Sequence, residues 1–178
     1  MYKRLFIFVE GPDDDRFFNK IVKGLFKDRY NEIEILEYSR KTGEYINNFL
    51  KNIGKMGAEY ICQSDLDEVP CATERKEKLK ERFSGFEENR IIVVKIEIES
   101  WYLALLDDDA CRKLRIKPSE IRNTDHINKE NFNSLIPKRF DSRVDFMVEI
   151  LNCASIETAM QRNTSFKYFI DNIDKYCS

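Results

Sequence analysis

Histidine, tryptophan, proline and glycine are all scarce in this chain. Among 178 residues there is one histidine, His126, and one tryptophan, Trp101, with four prolines and six glycines. His126 lies in a polar stretch, TDHINKEN, which predicts a surface position and removes imidazole acid–base catalysis from the candidate mechanisms. No G-x-G-x-x-G and no G-K-[ST] occurs, so the usual nucleotide cradles are missing. The five cysteines, Cys62, Cys71, Cys111, Cys153 and Cys177, form no C-x-x-C pair and have no histidine nearby, against a zinc site. Their odd number and wide spacing read as reduced thiols of a cytoplasmic protein, none with a base partner for thiol catalysis. No apolar run approaches the ~20 residues of a membrane span. The opening MYKRLFIFV is too short for a signal sequence. A cytoplasmic location without a membrane partner is expected.

What the chain has in quantity is charge and aromatic core material. Hydrophobic residues make up 42% and charged residues 35%, with 13 Phe and 8 Tyr. That balance describes a globular domain with a heavily charged exterior rather than a disordered chain. The net charge of −2 conceals 30 basic residues, so it does not exclude nucleic acid as a partner. There is no internal repeat and no low-complexity segment.

Along the chain, strand and helix signals alternate. Leu5 to Val9 (LFIFV) is a continuous apolar run, as in a parallel strand covered on both faces. Pro12 and the aspartates Asp13, Asp14 and Asp15 predict a helix start, followed by an apolar face of Phe17, Phe18, Ile21, Val22 and Leu25. Further strands are expected over 32–38, 59–63 and 90–98, with helices over 42–55 and 72–83. The order predicts an α/β fold with a mainly parallel central sheet flanked by helices. After Trp101 to Leu106 the pattern turns helical, with amphipathic segments over 143–151 and 166–173. The expected organisation is an α/β core over 1–106 and a helical extension over 107–178.

The acidic residues carry the chemistry. In an open parallel sheet, ligands bind beyond the carboxyl ends of the strands. Glu10 ends the first strand, and Asp65 and Asp67 follow the third. Asp65 and Asp67 are two apart, so in an extended segment they point to the same side. Asp14 lies one helical turn after Glu10. If the first and third strands are neighbours, four carboxylates converge on one rim. Like charges so close repel, and a divalent cation is the natural resolution. Ligands that are all oxygen select Mg²⁺ or Mn²⁺ over zinc. Such an ion points to phosphoryl or phosphodiester chemistry. Replacing Glu10 or Asp67 with the amide is then expected to abolish metal binding and leave the fold intact or more stable.

These motifs resemble the Toprim domain. Val9, Glu10, Gly11 and Asp14 match V-E-G-x-x-D, and Asp65 and Asp67 match D-x-D after a later strand. Within that group the chain is most similar to the stand-alone branch related to nucleases of the OLD (overcoming lysogenization defect) family. Glu99 and Trp101 match its E-x-W element, and the tail NTSFKYFIDNI its closing S-F helix. The resemblance implies a Toprim-like α/β/α fold and metal-dependent hydrolysis of nucleic acid, DNA in the first instance, within a defence or repair system. Glu10, Asp14, Asp65 and Asp67 would hold one or two Mg²⁺ or Mn²⁺ ions. Glu99 would be a further catalytic ligand, with Glu97 ranked below it. Lys138, Arg139 and Arg143 are candidates for the phosphate by position. Some family members carry an ATPase ahead of the Toprim unit, so a partner ATPase or other subunit is implied here.

Blander readings stand beside these. Glu10 reads also as a solvated strand end, Asp13 and Asp15 as helix-start charges, Asp65 and Asp67 as an Asx-turn pair, and Glu99 as the partner of an arginine. Trp101 reads as core. The run ERKEKLKER, from Glu74 to Arg82, alternates in sign like an exposed helix face. The alternative function is a non-catalytic module of the same fold that binds metal and nucleic acid or a protein. A phosphoacceptor receiver ranks last, because Lys95 is placed mid-strand rather than at a strand end. Phosphoryl transfer to a small molecule remains open.

Overall fold

The computed structural model describes residues 2–176. Its first strand, β1 (Arg4–Val9), ends where Gly11 admits α1 (Pro12–Phe17). Phe18–Val22 is wound as a π-helix, and α2 (Lys23–Phe26) completes the helical run. β2 (Glu32–Glu37) returns to the sheet and α3 (Gly43–Lys55) follows. The Thr42 hydroxyl caps α3 by accepting from the Tyr45 amide at 3.2 Å. β3 (Glu59–Asp65), α4 (Ala72–Arg82) and β4 (Ile91–Val94) finish the α/β part.

The strand order is β2-β1-β3-β4, and β1 runs parallel to both its neighbours. The chain thus has the α/β fold expected, a four-stranded sheet flanked by helices and consistent with a Toprim-like arrangement. Alternation along β1 places Phe6 and Phe8 on one face and Leu5, Ile7 and Val9 on the other, and all five are buried. Phe6 and Phe8 join Tyr38, Ile46, Leu50, Tyr60, Leu79, Phe83 and Phe86 in one core beneath α3 and α4. The rings meet edge-on, as in the pair Phe8–Phe86 at 5.3 Å.

The fourth strand is shorter than its β-branched sequence predicts. It closes at Val94 because Ile96 takes a positive φ of 65°, which no extended run accommodates. Backbone bonds from Ser100 to Glu97 and from Trp101 to Ile98 then wind the chain into α5 (Glu99–Ala104). Glu99 therefore opens a helix instead of following a strand that runs to residue 98, and Glu97 lies in the turn before that helix. The Glu97 carboxylate accepts from the Lys129 amide.

The described residues up to Val93, together with those from Asn172 on, form one compact unit; Val94–Asp171 form a second. The second unit holds α5, α6 (Asp108–Leu114), α7 (Lys129–Ser134), α8 (Arg143–Asn152), α9 (Ile156–Arg162) and α10 (Thr164–Asp171). Its core includes Trp101, which stacks on Phe169 at 5.6 Å and meets Phe166 edge-on at 5.0 Å. The Trp101 indole N–H donates to the Ser165 hydroxyl at 2.8 Å, so the E-x-W and S-F elements meet as core. Among the described residues no helix is long and apolar enough to cross a membrane. Cys177 lies outside the described residues.

Candidate functional site

Parallel pairing of β1 and β3 brings their carboxyl ends side by side, and with them Glu10 and Asp65. Glu10 Oε1 accepts from the Asp65 amide at 3.1 Å and from the Ser64 hydroxyl at 2.8 Å. The buried Gln63 side chain clamps the two strand ends. Its Oε1 accepts from the Glu10 amide at 3.3 Å, and its Nε2 donates to Asp65 Oδ1 at 2.8 Å. The Tyr38 hydroxyl closes the network from the end of β2, 3.0 Å from the Gln63 carbonyl and 3.2 Å from Glu10 Oε1. Burial, with the nearby Cys62 and Glu10 adding to it, pushes the Tyr38 phenol well above its ordinary range, so it stays a donor.

Asp14 enters from α1. Its Oδ2 accepts from the Gly11 amide at 3.1 Å, and its side chain is buried beside the turn that Glu10 begins. Its neighbours serve the helix instead: Asp13 pairs with Arg16 at 2.7 Å and Asp15 accepts from Asn19 at 3.1 Å. Asp67 arrives differently from the sequence expectation. β3 ends at Asp65, and Asp67 stands in a turn with φ of 52°, a left-handed conformation that aspartate tolerates. The same-side rule for an extended segment therefore does not apply to it.

A residue that sequence reasoning passed over joins these acids. Arg75, one turn into α4, reaches Glu10 at 2.7 Å and Asp67 at 3.2 Å, while its Nε donates to Ser64 at 2.7 Å. Burial opposes its charge, yet Glu10 and Asp67 raise its pKa above the ordinary arginine value, and it stays a fixed cation. The counter-charge that like carboxylates demand is thus supplied by the chain itself. In kind the donors fit Mg²⁺ or Mn²⁺, since Glu10, Asp14, Asp65 and Asp67 offer only oxygen. In placement, among the described residues, no three His, Cys, Asp or Glu side chains stand grouped to share an ion. Arg75 already holds two of the candidate ligands.

The remaining candidates belong to the second unit. Glu99 pairs with Arg143, whose guanidinium also lies 5.6 Å from the Phe132 ring centroid. Arg139 covers the Phe140 ring at 4.6 Å, and Lys138 is exposed. His126 is exposed, as its polar surroundings predict. Of the residues missed, Gln63 did leave a trace, as an amide ending the apolar run EYIC and directly preceding Ser64-Asp65. Arg75 left none, because its helix carries basic residues on every side.

No family model matches the chain, and no curated protein matches it. Among solved structures it is similar to the C-terminal region of the Burkholderia pseudomallei OLD protein, with a TM-score of 0.51 and 19% identity over 97% of this chain and all of that one. A looser match is the C-terminal region of the Xanthomonas campestris pv. campestris OLD protein, with a TM-score of 0.39 and 15% identity, covering 100% of this chain and 90% of that one. The chain shares its fold with the C-terminal region of the Burkholderia OLD protein.

Proposed function

We propose that this protein is a Mg²⁺- or Mn²⁺-dependent nuclease that hydrolyses phosphodiester bonds of nucleic acid, DNA first, and works in the cytoplasm with a partner ATPase or other subunit. The observation that supports this most is the contact of Glu10 Oε1 with the Asp65 backbone amide at 3.1 Å, which sets two acid-bearing strand ends side by side at the carboxyl rim of a parallel sheet. Glu10, Asp14, Asp65 and Asp67 would hold the ion. A bound divalent ion supplies Lewis acidity that activates water and steadies the leaving oxygen. Gln63, Ser64 and Tyr38 fix the Glu10 carboxylate and the β3 end, and the ion would have to displace Arg75 and draw Asp14 and Asp67 inward. Arg75 gives the rim a cation suited to a phosphate oxygen. Glu99, already paired with Arg143, is not needed in this assignment.

A second reading has its own support. Because Arg75 neutralises Glu10 and Asp67 without an ion, the rim also suits a non-catalytic module that binds nucleic acid or a protein. Incubating plasmid, linear duplex, single-stranded DNA and RNA with Mg²⁺ or Mn²⁺ separates the two. The nuclease cleaves at least one of these, stops in EDTA, and loses activity as Glu10→Gln. Absence of cleavage on all four assigns the chain to the module reading.

A further inference from the structure

α4 turns once every 3.6 residues, so Arg75, Lys78 and Arg82 share one face. Its alternating charges alone predict a plain solvated face. It lines a cavity of about 110 Å³ that reaches Glu10 and the loop after β2, through Ser39. That volume has room for a few waters or one tetrahedral anion. Among the described residues its charged lining is Arg75, Lys78 and Arg82 with Glu10; Arg75 is engaged by Glu10 and Asp67, which leaves Lys78 and Arg82 as the cations open to an anion. Arg82 is held in place by the loop, donating to the Ser39 carbonyl at 2.5 Å. Lys78 is engaged with Glu74 at 2.9 Å, an exposed i,i+4 pair worth only a few tenths of a kcal/mol, easily exchanged for a stronger anion. Arg40 and Lys41 add two more cations to the same loop.

We infer that this cavity is a backbone-phosphate subsite for a polynucleotide, in which Lys78, Arg82 and Ser39 hold the phosphate adjoining the one presented to Glu10 and Asp65. The inference rests on the nuclease reading for which phosphate lies next door, but the binding itself needs no metal and no cleavage. Cations in a row on one helix face track a phosphate backbone without reading sequence.

The test is fluorescence anisotropy of a labelled 20-nucleotide DNA single strand in EDTA, over a range of salt, with the full chain. Lys78→Ala/Arg82→Ala is compared with Lys76→Ala/Lys80→Ala, which removes equal charge from the other side of α4. The pocket variant is expected to weaken binding by about two- to fivefold per lost contact. Its salt slope should fall by about 0.7 for each phosphate contact removed. The control should stay within twofold of wild type. Lys78→Ala alone, whose side chain is exposed and supports no loop, should show half of the slope change. Equal losses in both pairs, or none in the pocket variant, overturn the subsite. A nucleoside monophosphate that binds as tightly as the oligonucleotide overturns the polynucleotide assignment. Metal-dependent cleavage that persists while the pocket variant binds normally refutes the subsite alone; selective loss of binding in a protein that never cleaves refutes the nuclease alone.

Discussion

Replacing Arg75 with alanine removes the guanidinium that Glu10 and Asp67 share. Breaking a fully buried ion pair costs about 3–5 kcal/mol, and breaking an exposed one about 0–1 kcal/mol. The side chains of Arg75, Glu10 and Asp67 are 19%, 23% and 43% exposed, which sets this network between those limits. A loss of about 2 kcal/mol is expected, because the carboxylates keep their amide and hydroxyl donors but lose their counter-charge. For a chain of this size that lowers Tm by about 4–8 °C in EDTA. A divalent ion would take over the vacated role. At ~100 times its Kd it returns about 2.7 kcal/mol, whereas in the wild type it must first displace Arg75. Differential scanning fluorimetry in EDTA and in Mn²⁺, with Lys80→Ala as the charge control, measures both effects. An Arg75→Ala protein as stable as the control in EDTA, or one gaining no more from Mn²⁺ than wild type, refutes the reasoning.

Other outcomes follow from the same contacts. Glu10→Gln is expected to lower Tm by about 3–6 °C, a loss of ~1.5 kcal/mol of charge-assisted bonding; a rise in Tm would mean that repulsion dominates the rim after all. Asp125 is burdened by burial, but bonds from the Thr164 hydroxyl and amide and from Lys95 outweigh it and lower its pKa below 3.8. A carboxyl held low adds stability that is present above its unfolded pKa and drains away as pH falls through the folded value. Asp125→Asn should therefore flatten the loss of stability on acidification below about pH 4, and an unchanged acid limb in circular dichroism would contradict this. Burial pushes the Cys62 and Cys111 thiols up, whereas Cys71 is exposed. A thiol reagent at pH 8 should label Cys71 in the native protein and reach Cys62 and Cys111 only after unfolding, which peptide mapping reads directly.

The fold was legible where local signals agreed with one another. The apolar run of β1, Pro12 and the acidic start of α1 point the same way, and each element forms where those residues put it. That Glu10 and Asp65 close strands was legible too, but whether those strands are neighbours stayed open until β1 was found paired with β3; the contact made is from the Asp65 amide to Glu10 Oε1, not between carboxylates. What sequence could not supply was long-range pairing. Arg75 is one basic residue among many in α4, and only the packing of that helix, with Leu79 in one core with Tyr38 and Arg75 against Ser64 at the β3 end, selects it. The end of β4 was hidden for a different reason: its β-branched run has high strand propensity, and a single left-handed residue, Ile96, overrides it. Asp67 shows the same failure in miniature, because a turn replaced the extended geometry on which its orientation was predicted.

Titrating Mn²⁺ into the purified protein by calorimetry, beside Glu10→Gln and Asp65→Asn, asks most directly what this rim is for. Saturable binding in the wild type that disappears in both variants, each still folded by circular dichroism, is the predicted result. Equal heats from all three proteins, or none from the wild type, would leave Arg75 as the partner of these carboxylates and contradict the metal site.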